Sequence, residues 1–120
     1  MRRKPGRLVP LELAICDAAA RLRRRGIAKF HGYEIAKRVA EDTDAKLLTA
    51  YGTLYRALAR LESMGLLESR WEDPHIAARE GRPGRRLYTL TGAGEAAVEE
   101  ARKAQLTEAR QRARRKVVPA

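Results

Sequence analysis

One run of eighteen residues, Ala50 to Leu67, constrains this chain more than any other. At 100° per residue, Leu54, Leu58 and Leu61 stack on one face of a helix, and Gly65 closes its last turn. Thr49, Gly52, Thr53, Arg56, Arg60 and Ser63 are assigned to the opposite face, with Thr49 as the expected N-cap. That face carries no carboxylate, because Glu62 falls to its side. A leucine spine backed by hydroxyls and guanidinium groups suits a helix that enters a DNA major groove. Ser and Thr donate to base edges or phosphate, and Arg forks onto guanine O6 and N7. The plainer alternative is an amphipathic helix with a solvated polar face.

What flanks this helix narrows the choice. Pro10 starts an expected first helix that runs to Gly26, and its apolar residues form two stripes. Leu8, Leu11, Ile15, Ala18 and Leu22 make one; Val9, Leu13, Cys16 and Ala20 make the other. A helix with two apolar faces is sandwiched, here between its own core and a second body. A second helix is expected from Tyr33 to about Glu41, with Ile35 and Val39 inward and Asp42-Thr43-Asp44 ending it. After Gly65, Leu66 to Glu72 reads as a strand and Arg85 to Leu90 as its hairpin partner. The intervening Asp73–Gly84 segment holds Pro74, Gly81, Pro83 and Gly84, and no regular element is expected there. Thr91 caps a last helix reaching about Lys116, with a small-residue stripe of Ala93, Ala97, Ala101 and Ala104.

Three helices followed by a hairpin is the order of a winged helix-turn-helix. The expected fold is therefore mainly α with a small β-hairpin, a winged helix-turn-helix plus a long C-terminal helix. Residues 1–7 are expected to be a flexible basic arm, 8–91 the DNA-binding domain, and 92–120 the C-terminal helix with a frayed basic end.

The 120 residues carry a formal net charge of +11, which favours a polyanionic partner. The excess lies at the two ends; residues 31–90 hold ten Lys/Arg against nine acids, so placement must supply specificity. No apolar run spans a membrane, and the basic start leads into Glu12 and Asp17 rather than a signal peptide. One cysteine and two separated histidines assemble no disulfide and no zinc or iron–sulfur site, so no metal or cofactor is expected, and a cytoplasmic location is. Nucleophile–base pairs, Gly-rich phosphate loops and paired carboxylates are lacking too, which argues against an enzyme.

Three segments in order carry a family likeness: His31-Gly32-Tyr33-Glu34-Ile35; Gly52-Thr53-Leu54-Tyr55-Arg56-Ala57-Leu58-Ala59-Arg60-Leu61-Glu62 with Gly65-Leu66-Leu67; and Gly81-Arg82-Pro83 with Arg86-Leu87-Tyr88-Thr89-Leu90-Thr91 and Gly94. With them the chain resembles the PadR family of bacterial transcriptional regulators over roughly residues 8–100. The resemblance implies a winged helix, a homodimer formed by the first and last helices, repression of nearby genes, and release from DNA by a small, often aromatic or lipophilic, effector. Two departures stand out: the extra residues Asp73 to Glu80 before Gly-Arg-Pro, and a chain ending after one C-terminal helix that loses its apolar stripe at Glu108.

The expected contacts to double-stranded DNA are Thr49, Tyr51, Gly52, Thr53, Tyr55, Arg56 and Arg60, with Arg82, Arg85 and Arg86 from the wing. Arg79 and the arm residues Arg2, Arg3, Lys4 and Arg7 are weaker candidates. The expected dimer interface is Val9, Leu13, Cys16 and Ala20 with Ala97, Ala101 and Ala104. Tyr33 and Trp71 are assigned to packing, His31 to capping, and Cys16 behaves as a small hydrophobe. The rival reading is a winged helix used for protein–protein contact, without sequence-specific DNA binding.

Overall fold

A computed structural model describes residues 8–42 and 51–116. In chain order it contains α1 (Pro10–Arg24), β1 (Phe30–His31), α2 (Gly32–Asp42), α3 (Tyr51–Ser63), β2 (Leu67–Trp71), α4 (Pro74–Arg79), β3 (Arg86–Leu90) and α5 (Gly92–Lys116). The expected arm at 1–7 and the expected cap Thr49 lie outside the described residues.

Leu54, Leu58 and Leu61 of α3 are fully buried, as the leucine spine requires, and join Ile15 and Cys16 of α1, Ile35 and Val39 of α2, Phe30, Leu67 and Leu90 in one core. Gly65 stops α3 with φ +76°, a left-handed conformation that side chains resist, and Leu66 N–H returns to Leu61 O at 3.0 Å.

The sheet has three antiparallel strands in the order β1-β3-β2. Leu67, Ser69 and Trp71 face Leu90, Tyr88 and Arg86 across the ladder, and Phe30 lies opposite Tyr88 on the other side. Side chains alternate along a strand, so these residues share one face. That face is core at its root (Leu67, Leu90), carries the Phe30–Tyr88 ring stack 6.0 Å between centroids in the middle, and ends on exposed Trp71 and half-buried Arg86. Burial also raises the Tyr88 phenol above its usual pKa.

Three findings correct the sequence reading. A third strand, β1, joins the hairpin; two residues are too short to leave a period-2 signal. The 73–84 segment does contain a helix, α4. Asp73 caps it by accepting His75 N–H at 2.9 Å, and Pro74 occupies its first turn, where the missing N–H is no loss. Finally, Cys16 and Ala20 lie inside the chain's own core instead of on an outward face. α1 is indeed packed on two sides, but the second body is α5 of the same chain. Burial, with help from Glu12 and Asp17, pushes the Cys16 thiol up to about 12, so it stays protonated at neutral pH.

The α5 seat is tight. Thr91 Oγ1 accepts Gly94 N–H at 3.0 Å and donates to Gly65 O at 2.7 Å, while Thr91 N–H reaches Leu66 O at 3.1 Å. A Cβ on Gly94 would collide with Leu66 O and the Leu90 side chain; one on Gly92 would meet nothing. Gly94→Ala is therefore expected to destabilise the fold by about 1–3 kcal/mol, the range for overpacking a filled site. Gly92→Ala should be neutral or stabilising by up to about 1 kcal/mol through the unfolded chain. Urea denaturation of the two variants checks the contrast, and equal midpoints would refute the tight seat.

Candidate nucleic-acid interface

α3 presents Gly52, Tyr55, Arg56, Ala59 and Ser63 to solvent, with Thr53 half-buried at its edge. Arg56 is exposed and donates only a long bond, Nη2 to Thr53 Oγ1 at 3.4 Å, on its own helix. Ser63 is committed to the backbone, donating to Arg60 O at 2.8 Å. The side chain of Tyr51 is outside the described structure.

Arg60 is turned away from this group. Its Nε lies 2.9 Å from Oε2 of Glu12 in the first turn of α1, a carboxylate whose side chain is only 3% exposed. The approach lacks the geometry of a directed hydrogen bond, so the contact is an ion pair. The physical reason is angular. Arg60 stands about 120° from the leucine spine, on the flank toward α1, and its long stem reaches inward.

α2 begins with a reciprocal cap. His31 N–H donates to Glu34 Oε1 and Glu34 N–H donates to His31 Nδ1, both at 3.3 Å. Gly32 then lets the Tyr55 ring come close: a Cβ on Gly32 would stand 3.0 Å from that ring. Tyr55 thus leans on the α2 terminus while remaining 51% exposed. Beside it Tyr33 is 56% exposed and Trp71 65% exposed.

These rings border a cleft of about 440 Å³ between the starts of α2 and α3 and the wing, lined by His31, Gly32, Tyr33, Tyr55, Trp71, Gly84, Arg85, Arg86 and Tyr88. No carboxylate lines it among the described residues. Sequence reasoning assigned Tyr33 and Trp71 to packing; their exposure comes from a tertiary juxtaposition that no local pattern announces.

The three wing arginines differ in availability. Arg82 is clamped: its Nη1 and Nη2 hold Glu72 Oε1 and, at 3.1 Å, Oε2, while its Nε donates to Glu80 at 2.6 Å. Glu72 Oε1 also accepts Arg85 N–H at 2.9 Å, so this pair closes the wing loop. Arg86 stacks 5.4 Å over the Trp71 ring and donates Nε–H to Ser69 Oγ at 2.8 Å. Ser69 in turn donates to Glu62 at 2.6 Å, and Arg86 lies 3.7 Å from that carboxylate. Among the described wing arginines, Arg85 alone enters the cleft as an exposed side chain without an ion pair. Arg79 is exposed on α4.

Away from these residues, α1 and α5 border a groove of about 470 Å³. Leu8, Pro10, Leu13, Ala14, Val98 and Ala101 supply its apolar wall, and Asp17 bridges Arg21 at 3.0 Å and Arg102 at 4.0 Å along the rim. Of the expected interface residues, Leu13 and Ala101 line this groove; Val9 is half-buried, Ala97 packs on the core, and Ala104 is exposed.

The family model for the transcriptional regulator PadR-like family matches residues 23–100. The chain belongs to that family. Its fold is that of solved PadR-like regulators. One from Clostridium difficile R20291 is 25% identical with a TM-score of 0.64, covering 90% of this chain and 98% of that one. Another, from Bacteroides fragilis, is 26% identical with a TM-score of 0.60 over 88% and 89% of the two chains. Bordetella bronchiseptica BpsR, whose DNA binding is regulated by 6-hydroxynicotinic acid, is 25% identical with a TM-score of 0.58 over 89% of this chain and 67% of that one. No curated protein matches. No helix among the described residues is long and apolar enough to cross a membrane, and they gather no group of three or more metal-ligating side chains.

The wing clamp makes a pH prediction. Hydrogen bonding from the Arg82 side chain, reinforced by Arg85, holds the Glu72 carboxyl below its ordinary pKa despite burial, and raises Arg82. A carboxylate lowered by folding contributes stability present above its ordinary range and lost as pH falls through the lowered value. The wing should therefore stay closed through the pH at which exposed glutamates titrate. NMR titration is expected to find Glu72 below the ordinary pKa of a glutamate and Arg82→Ala to return it upward. An unchanged Glu72 midpoint in that variant would rule out the clamp.

Proposed function

We propose that this PadR-like regulator binds a pseudo-palindromic operator as a homodimer and represses transcription, with release by a small effector. The observation that carries this reading is the exposed side of α3, where Gly52, Thr53 and Arg56 meet solvent next to a cleft that holds Arg85 and, among the described residues, no carboxylate. A duplex offers the complement: base edges for Arg56 in the major groove and phosphates for Arg85 and the phenols of Tyr33 and Tyr55. Gly52 lets backbone approach phosphate closely. Thr49, Tyr51 and Arg86 belong to the same proposed surface, Arg86 as a partly neutralised contributor. Arg60 and Arg82 are better explained by their carboxylate partners within the chain than by direct DNA contact.

Homodimerisation is supported by the apolar α1–α5 groove, whose Leu13 and Ala101 would be covered by a second copy. Two copies of α3 then reach successive major grooves about 34 Å apart. The effector part of the reading rests on BpsR as a structural neighbour whose DNA binding responds to a small aromatic acid.

Selection from a random DNA pool is expected to return a two-fold-symmetric consensus. On that duplex, Arg56→Ala should weaken binding by about 1–3 kcal/mol and leave affinity for unrelated DNA nearly unchanged. Arg85→Ala should weaken both alike and lower the salt slope of the dimer by about two, one for each subunit. Failure to enrich any sequence would instead favour a protein-contact module, and equal losses for Arg56→Ala on both duplexes would remove its role in reading bases.

A further inference from the structure

Among the described residues Glu12 is the one buried charged side chain, 2% exposed, in the first turn of α1. Each of its oxygens has a separate task. Oε1 accepts Val9 N–H at 3.0 Å, and Oε2 faces Arg60 Nε of α3 at 2.9 Å. A buried carboxylate opposed to a cation on another element is a costly arrangement that apolar packing would replace without loss of stability. What it supplies is an off-axis tether on α3. The spine of Leu54, Leu58 and Leu61 holds α3 against the core by contacts that are not directional, so they fix depth better than rotation. A rotation of about 20° would carry a side-chain atom about 6 Å from the helix axis through about 2 Å. That is more than a base-edge hydrogen bond tolerates.

We propose that Glu12 is a positioning residue for DNA readout: through Arg60 it locks the rotation of α3 relative to α1. This rests on the DNA-binding reading of α3. The lock also joins the two working surfaces, because the same first turns of α1 supply Pro10 and Leu13 to the α1–α5 groove. Arg60 acts on DNA through Glu12 and does not touch phosphate.

Glu12→Gln is the sharpest variant. Glutamine keeps the volume but has one carbonyl oxygen, so it cannot accept from Val9 N–H and face Arg60 together without turning its amide N–H toward a donor. The full chain carrying Glu12→Gln, Arg60→Met or both would be measured on the selected operator and on an unrelated duplex over a range of salt, with the folded, binding-competent fraction determined for each. The expected result is a loss of operator preference on the order of tenfold in each single variant, as when one good base contact is lost. The double variant should lose no more than the worse single. Affinity for unrelated DNA and the salt slope should match the parent in all three. Unchanged operator preference in Glu12→Gln, or a salt slope reduced by about two (one per subunit) in Arg60→Met, would overturn the proposal. Should Glu12→Gln fail to fold, the Arg60→Met preference and salt slope decide it alone. A parent chain that shows no operator preference would refute the DNA-binding reading itself, an outcome distinct from a parent that discriminates and variants that do so equally well.

Discussion

Burial of α1 on two sides is the constraint on which the remaining architecture depends. Ile15, Cys16, Ala18, Ala19 and Leu22 have almost no solvent exposure, because α2, α3 and β3 cover one side of the helix and α5 another. With aromatics at only 5% of the chain, the core is built mostly from Leu, Ile, Val and Ala, and small residues on α1 let its neighbours approach. Arg23 completes the attachment at the far end, donating to Leu90 O at 2.8 Å and lying 3.4 Å from Glu95. The elements that carry the α3 face and the wing are thus fixed to a single strut.

Net charge is a poor guide to how this molecule meets a polyanion. Of the +11, much lies in the terminal segments, whereas in the α3–wing region many guanidinium groups already face a carboxylate of the same chain. Arg60, Arg82 and Arg86 shape the surface by holding helix, loop and strand in place. Arg56 and Arg85 present charge outward beside the exposed rings of Tyr33, Tyr55 and Trp71. The chemistry of the surface is therefore a matter of a few side chains, with the others serving as its frame.

The helices and the hairpin were legible because their signals are local. The 3.6-residue spacing of Leu54, Leu58 and Leu61, the left-handed Gly65 and the Thr91 cap each act within one or two turns. What the sequence concealed depends on contacts between distant residues. The ion pair of Glu12 with Arg60 spans two helices, although a lone carboxylate within the apolar stripe of α1 was a sign that a cation would answer it. The second covered side of α1 comes from α5 folding back onto it, which the two-stripe pattern allows as readily as a second subunit. The short α4 had a readable start in Asp73-Pro74, masked by the surrounding glycines and prolines. Tyr33 and Trp71 were assigned to packing by residue type, and only the tertiary arrangement brings them to the rim of the cleft.

The close fit of Gly94 against the backbone of Leu66 has a mechanical consequence. α5 is a rod of 25 residues, about 37 Å long, clamped near one end at the root of the wing. A clamped rod magnifies angle into distance: a tilt of about 5° at that end sweeps its tip through about 3 Å. Whatever grips the outer half of the rod therefore has leverage on the hairpin's base, and a single hydrogen in place of a methyl group sets the fulcrum.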